Sequence, residues 1–140
     1  MRFRYQKFPA HGSNPRDPFI ARPYVPVFLH GAVASTKSPY YALLDSGADA
    51  ILLPADLANE VGISDIKKGK GPQATIGIAG QRTDIYYFDL ALQILGDVHK
   101  LPCEIGFSEK IFIPILGRSF FRHFKSVIFN ETKEEVEFKV

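Results

Sequence analysis

The stretch Tyr40 to Pro54 constrains this chain more than any other. The apolar run Tyr40-Tyr41-Ala42-Leu43-Leu44 leads straight into Asp45-Ser46-Gly47, and a second apolar run, Ile51-Leu52-Leu53, follows within a few residues. Asp45 is thereby placed in a tight loop between two segments that both favour burial. That is a costly position for a carboxylate, which without partners is driven towards its neutral form. Such an acid serves either a structural hydrogen-bond network or chemistry, and the loop taken alone does not choose between them.

The rest of the chain reads as a single β-rich domain. At 140 residues there is material for one core and not for two lobes. With 46% hydrophobic and 23% charged residues, a folded domain is expected and not a disordered chain. A lone cysteine, Cys103, excludes an intrachain disulfide and, flanked by Leu101-Pro102 and Ile105, reads as a small buried hydrophobe. Residues 1–22 carry a net charge of +4 and the remainder −2, so the overall +2 is an effect of this arm. Phe3, Tyr5 and Phe8 alternate with its basic residues, a composition that suits nucleic acid or an acidic partner. The plainer reading is a strap that packs its aromatics on the domain and leaves its charges in water, and nucleic acid is not an expected partner. Residues 11–18 form a turn-rich linker. No signal-peptide core and no bilayer-length apolar stretch is present, so a cytoplasmic location and no membrane contact are expected.

Strands are expected at 24–33, where Pro26 belongs near the start or on an edge, at 40–44 and at 51–53. Residues 54–62 have proline at a first helical position and glycine past the end, the pattern of a two-turn helix. Lys67, Lys68 and Lys70 among glycines suggest a flexible solvated loop, and Ala74 to Gln81 a glycine-rich hairpin. Residues 83–94 form one long strand turned at Gly96-Asp97, with 100–105 returning beside it. His30 reads as a surface or strand-end residue and His99 as an exposed turn residue. A short helix with an aromatic face follows at 119–124. A closing hairpin, 126–129 with 134–140, places Val136, Phe138 and Val140 on one face.

A second segment, Phe112-Ile113-Pro114-Ile115-Leu116-Gly117-Arg118-Ser119-Phe120-Phe121, gives the Asp45 loop its meaning. Leu43-Leu44-Asp45-Ser46-Gly47-Ala48 and, about seventy residues later, Ile115-Leu116-Gly117-Arg118 resemble the paired signatures of the retropepsin-like aspartic proteases. These are single-domain relatives of pepsin found in retroviruses, retroelements and many cellular genomes. The resemblance runs from roughly Tyr24 to Phe129. It implies an all-β, closed retropepsin-like (acid protease) barrel with one or two short helices over residues 23–140, behind the arm of 1–22. Its active site would lie at a homodimer interface. Pepsin-like enzymes draw two catalytic Asp residues from two lobes, whereas this chain has one Asp-Ser-Gly, so the second must come from a second copy. The hairpin residues Gly77, Ile78, Ala79 and Gly80 would be the flap, with Ile78 at its tip. The strand beyond Phe129 has no usual counterpart in retroviral members, and the dimer contact is expected from the chain's own hairpin.

The implied chemistry is that of an aspartic endopeptidase. Two Asp45 carboxylates facing each other share one proton and activate a water between them, with no metal or cofactor. Ser46 would lock the two loops, Gly47 let backbone approach the carboxylates and Ala48 keep the cleft floor shallow. Asp49 and Arg118, next to Gly117, would form an ion pair that ties the loop to the helix. Leu43, Leu52, Ile113 and Ile115 would line apolar subsites for a peptide or protein substrate. The alternative is a catalytically inactive retropepsin-fold module that binds peptide or dimerises.

Overall fold

The computed structural model describes residues 1–9, 18–76 and 82–140. Its elements are β1 (Arg2–Arg4), β2 (Gln6–Pro9), β3 (Phe19–Arg22), β4 (Tyr24–His30), β5 (Tyr40–Leu44), β6 (Ile51–Pro54), α1 (Ala55–Glu60), β7 (Lys70–Ile76), β8 (Arg82–Ile94), β9 (Leu101–Ser108), β10 (Ile115–Leu116), α2 (Arg118–Phe121), β11 (Ser126–Asn130) and β12 (Glu135–Lys139). The strands β4-β5-β10-β6-β9-β8 hydrogen-bond in that order, and β8 pairs back onto β4, closing a six-stranded barrel with β7 added outside β8. The barrel is mixed, since β10 runs parallel to β5 and β6 parallel to β9.

Alternation along each strand fills the barrel. Val25, Val27 and Leu29 of β4, Ala42 and Leu44 of β5, Ile51 and Leu53 of β6, Leu92 and Ile94 of β8, and Ile105 and Phe107 of β9 all point inward and are buried. Pro26 is the third residue of β4, near its start as expected. Its carbonyl accepts from Leu95 N at 3.0 Å, one rung past the end of the β4–β8 ladder, so only the carbonyl of this residue is needed there. Gly62 takes a positive φ of 89° just past α1, as the residue pattern of 54–62 anticipates, whereas Pro54 is not the first helical residue but the extended N-cap that ends β6.

A second sheet, ordered β1-β12-β11, closes one side of the core. It presses Phe3, Val136 and Phe138 inward, and Phe138 packs on Phe120 and Phe124 at ring separations of 6.3 and 4.7 Å. The outer face keeps its charges in water, with Arg2 3.5 Å from Glu137. Lys7 lies 4.0 Å from Glu134, so basic residues of the first segment meet the acidic C-terminal hairpin. Two expectations change here. Val140 is 90% exposed and does not join Val136 and Phe138, because β12 ends at Lys139. The lysine-rich stretch is not a loose loop: Ile66–Lys68 is a single 3-10 turn capped by the Asp65 carboxylate, and Lys70 opens β7 within reach of Asp89 and Glu104. Among the described residues, no helix is long and apolar enough to cross a membrane.

Burial leaves its mark on four protonated groups, the Cys103 thiol and the phenols of Tyr5, Tyr40 and Tyr87. The Cys103 thiol donates to the Leu101 carbonyl, lies 3.4 Å from His123 Nε2, and is pushed by burial up to about 11 from its ordinary 9.0. Burial also raises the Tyr40 phenol and, together with its bond to Glu131, the Tyr5 phenol. Each of these groups keeps its proton in the folded chain at a pH where the unfolded chain has released it. For Cys103 this stabilisation is complete below pH 9 and is lost as pH rises towards 11, whereas for the tyrosines the loss begins only above pH 10. Native protein is expected to alkylate at Cys103 far more slowly than urea-unfolded protein at pH 8, and its urea midpoint should fall between pH 9 and 11. A Cys103→Ala variant should show a shallower fall; an identical slope in both proteins would remove Cys103 from the account.

Candidate active site

The site is built where one strand is threaded between two others. β5 ends at Leu44 and β6 starts at Ile51; the two-residue β10, arriving from far along the chain, lies between them, parallel to β5 and antiparallel to β6. Its pairing sorts the side chains into two rows. Leu44, Leu116 and Ile51 form a buried row, and Leu43, Ile115 and Leu52 form a half-buried row one residue away. The loop of residues 45–50 spans the gap above β10.

Backbone hydrogen bonds hold that loop. Asp45 N donates to Leu116 O at 3.0 Å, and Gly47 N donates to the Asp45 carboxylate at 2.8 Å, an Asx turn that fixes the acid's rotamer. From the other motif, Gly117 N donates to Ala50 O (3.1 Å), Arg118 N to Ala48 O (2.8 Å) and Ser119 N to Asp49 O (2.9 Å). Three successive amides at the start of α2 thus bind three successive carbonyls of the loop. Only glycine permits this approach at 117, since a Cβ there would stand 2.6 Å from Ala48 O and closer still to Ala50 O.

Asp45 is half-buried, while Ser46 and Gly47 are open to solvent at the loop apex. Asp49 Oδ1 lies 3.3 Å from Arg118 Nε, with both side chains largely exposed in the single chain (89% and 61%). An ion pair so exposed contributes at most about 1 kcal/mol. The tie between loop and helix is therefore carried by backbone, a feature that the residue types at 49 and 118 do not reveal.

The half-buried row continues beyond the predicted subsite residues. Leu52 pairs with Gly106, and Gly106 with Tyr87, so Leu43, Ile115, Leu52 and Tyr87 stand in line across β5, β10, β6 and β8 with Gly106 of β9 as the low point. A Cβ at Gly106 would press on Leu52 and Tyr87 at 3.0 Å. Tyr87 was not among the candidates, because its run Tyr86-Tyr87-Phe88 gives no local sign of which ring faces the row. Ile113 is 44% exposed and lies outside the row, on the segment between β9 and β10, beside Phe112, which is more exposed still. A pocket of about 190 Å³ adjoins this segment, lined by Pro54, Ala55, Asp56, Glu109, Ile111 and Phe112. The arms β7 and β8 pair up to Ile76 with Arg82, whereas the flap residues Gly77, Ile78, Ala79 and Gly80 lie outside the described residues.

No protein-family model matches this sequence, and no match is found among curated proteins. Solved structures do match. A retropepsin-like aspartic protease from Rickettsia conorii aligns over 97% of this chain and 97% of its own, with a TM-score of 0.64 and 16% identity. The retroviral protease-like domain of Ddi1 from Leishmania major aligns over 85% of this chain and 89% of its own, at 0.60 and 14%. EIAV protease, complexed with the inhibitor HBY-793, aligns over 73% and 86%, at 0.56 and 22%. At these identities the likeness is one of fold. With its Asp-Ser-Gly loop and Gly-Arg segment joined on one threaded unit of a closed six-stranded mixed barrel, the chain has the fold of the retropepsin-like aspartic proteases.

Proposed function

We propose that the chain is one half of a homodimeric aspartic endopeptidase with Asp45 as its catalytic residue. The observation that carries this reading is the Asp45 loop itself: a carboxylate oriented by Gly47 N, pinned from below by Leu116 and from the side by Gly117–Ser119, and still open towards solvent. A structural acid so deeply tied would be enclosed by its partners, whereas this one presents a free face. Only one such loop exists per chain, so a working site needs two chains.

In the dimer the two Asp45 carboxylates face one another. At a separation of about 3 Å and an effective dielectric of about 20, two full charges would repel by roughly 5 kcal/mol. The pair therefore holds a single shared proton, the arrangement for which aspartic-protease dyads are the standard example. The ionised carboxylate takes a proton from the water between them as its oxygen attacks the peptide carbonyl. The protonated one donates to the carbonyl oxygen, giving a neutral tetrahedral intermediate that collapses with proton transfer to the amine. Ser46 steadies the paired loops, and the residues of the half-buried row with Ile113 receive apolar side chains of an extended peptide laid under the flap. No step calls on a metal or cofactor.

Incubation of the chain with a diverse peptide library from pH 3 to 8 tests the reading. Cleavage is expected beside apolar residues, with specific activity that falls on dilution as dimers separate. Peptides that are bound but stay intact at every pH and concentration would favour the inactive binding module instead.

A further inference from the structure

The half-buried row changes character along its length. Across β5, β10 and β6 it offers only hydrocarbon, from Leu43, Ile115 and Leu52. On β8 it reaches Tyr87, and on β7 it ends at Lys70, which stands opposite Tyr87 at the free edge of the sheet. A peptide laid along the row therefore meets apolar side chains beside the Asp45 loop, a phenol farther out and an ammonium group at the end.

Gly106 makes the phenol part of the floor. It lies between Leu52 and Tyr87 in the register, and a Cβ there would stand 2.5 Å from Ile85 Cγ2 and 3.0 Å from both Leu52 Cδ2 and Tyr87 Cε1. Any larger residue at 106 would lift the ring away, whereas glycine lets its edge come down over β9 to the side of Leu52. Tyr87 is half-buried, and a tyrosine so placed offers an apolar body and a polar tip. Burial, and after it the Glu104 carboxylate, raise the phenol above its ordinary value, so the tip stays a neutral hydroxyl that can donate or accept. Beyond the ring, Lys70 Nζ lies 3.5 Å from Glu104 and 3.7 Å from Asp89, one ammonium between two carboxylates. An acidic side chain brought there meets an excess of negative charge.

We propose that Tyr87 sets the specificity of the outer part of this row, selecting a substrate side chain with an apolar stem and a non-acidic hydrogen-bonding end, of the glutamine type. The inference rests on the endopeptidase reading and names a substrate feature of the same site. The stem lies on the ring and against Leu52, above Gly106, and the amide at its end hydrogen-bonds the phenol. Neighbouring strands are about 4.8 Å apart, which sets Gly106 about 14 Å from Leu43, the span of roughly four residues of an extended peptide. The selected residue therefore lies at that remove from the cleaved bond, beyond the residues whose side chains meet only Leu43 and Ile115.

Fluorogenic peptides that carry Gln, Leu or Glu at one position and are otherwise identical test this on the full-length chain, with the varied position moved stepwise outward from the cleaved bond. At the outer position wild type is expected to prefer Gln to Leu in kcat/KM, and to cleave the Glu peptide more slowly than the Gln peptide, by a margin that narrows as salt is added. Tyr87→Phe keeps a ring over Gly106 and removes only the hydroxyl. The Gln-to-Leu ratio should then fall about three- to tenfold, the worth of one neutral hydrogen bond, while the ratios at positions nearer the bond stay as in wild type. A preference for Leu at every outer position, a Glu peptide cleaved as fast as its Gln counterpart, or a Gln-to-Leu ratio that Tyr87→Phe leaves unchanged overturns the assignment. Peptides cleaved with any of those results remove only the role of Tyr87. Where none is cleaved the endopeptidase reading falls, and the same ratios measured as dissociation constants decide whether Tyr87 selects among bound peptides. A chain that neither cleaves nor binds them removes both.

Discussion

Asp45→Asn is expected to abolish peptide hydrolysis while leaving the fold and the dimer as they are. The asparagine carbonyl can still accept from Gly47 N, so the turn that now shows a 2.8 Å bond survives, along with the loop bonds to Leu116 and Gly117–Ser119. What is lost is the carboxylate that alternately takes and gives a proton, and general acid and base catalysis of this kind is worth about 10²–10⁴ in rate per group. Both copies lose it at once, so kcat/KM on a fluorogenic peptide should fall by at least about 10⁴. Asp45→Ala should be equally inactive but also less stable, by about 1 kcal/mol, because Gly47 N then loses its partner. Measured urea midpoints separate the two variants. Appreciable activity in Asp45→Asn, beyond what contaminating wild type could supply, would reject Asp45 as the catalytic group.

Gly117→Ala should do the largest structural damage of any one-methyl change. The added carbon would stand 2.6 Å from Ala48 O, with Ala50 O nearer still, and both atoms are backbone that cannot swing aside as a side chain can. Either the loop moves or the amides of Gly117, Arg118 and Ser119 let go of their carbonyls. Overpacking of this kind costs about 1–3 kcal/mol, and a value near the upper end is expected. Displacement of the loop by about 1 Å would lower activity about 100-fold even in molecules that stay folded. Denaturant unfolding gives the first quantity and peptide cleavage the second, and amide hydrogen exchange at Arg118 and Ser119 shows whether the tie has opened. A variant as stable and as active as wild type would mean that the threaded backbone does not position Asp45.

Much of this fold is legible in the chain. Partial alternation from Phe88 on marks the long strand that became β8, short apolar runs mark the strands on either side of Asp45, and the proline and glycine flanking 55–60 mark α1. The two motifs single out the loop and the Gly-Arg segment before any coordinates are known. Less legible was β10. Two residues have no period of their own, so Ile115 and Leu116 are a strand only because β5 and β6 hold them on either side. Nor does Arg118 disclose that its amide, more than its guanidinium, secures the loop, because amides are common to all residues and their partners are set by register. Tyr87 joined the row for the same reason: its place depends on Gly106, nineteen positions away and on another strand.

The sequence by itself determined where the principal core strands and their turns lie and which acid stands in a tight loop between two of them. These follow from side-chain chemistry and local periodicity, which act over a few residues. The tertiary structure alone decided that β10 passes between β5 and β6, and that β1 pairs with β12 from the far end of the chain. Those outcomes belong to hydrogen-bond pairing between distant segments. Backbone groups are identical along the chain, and which of them meet is chosen only when the whole barrel closes.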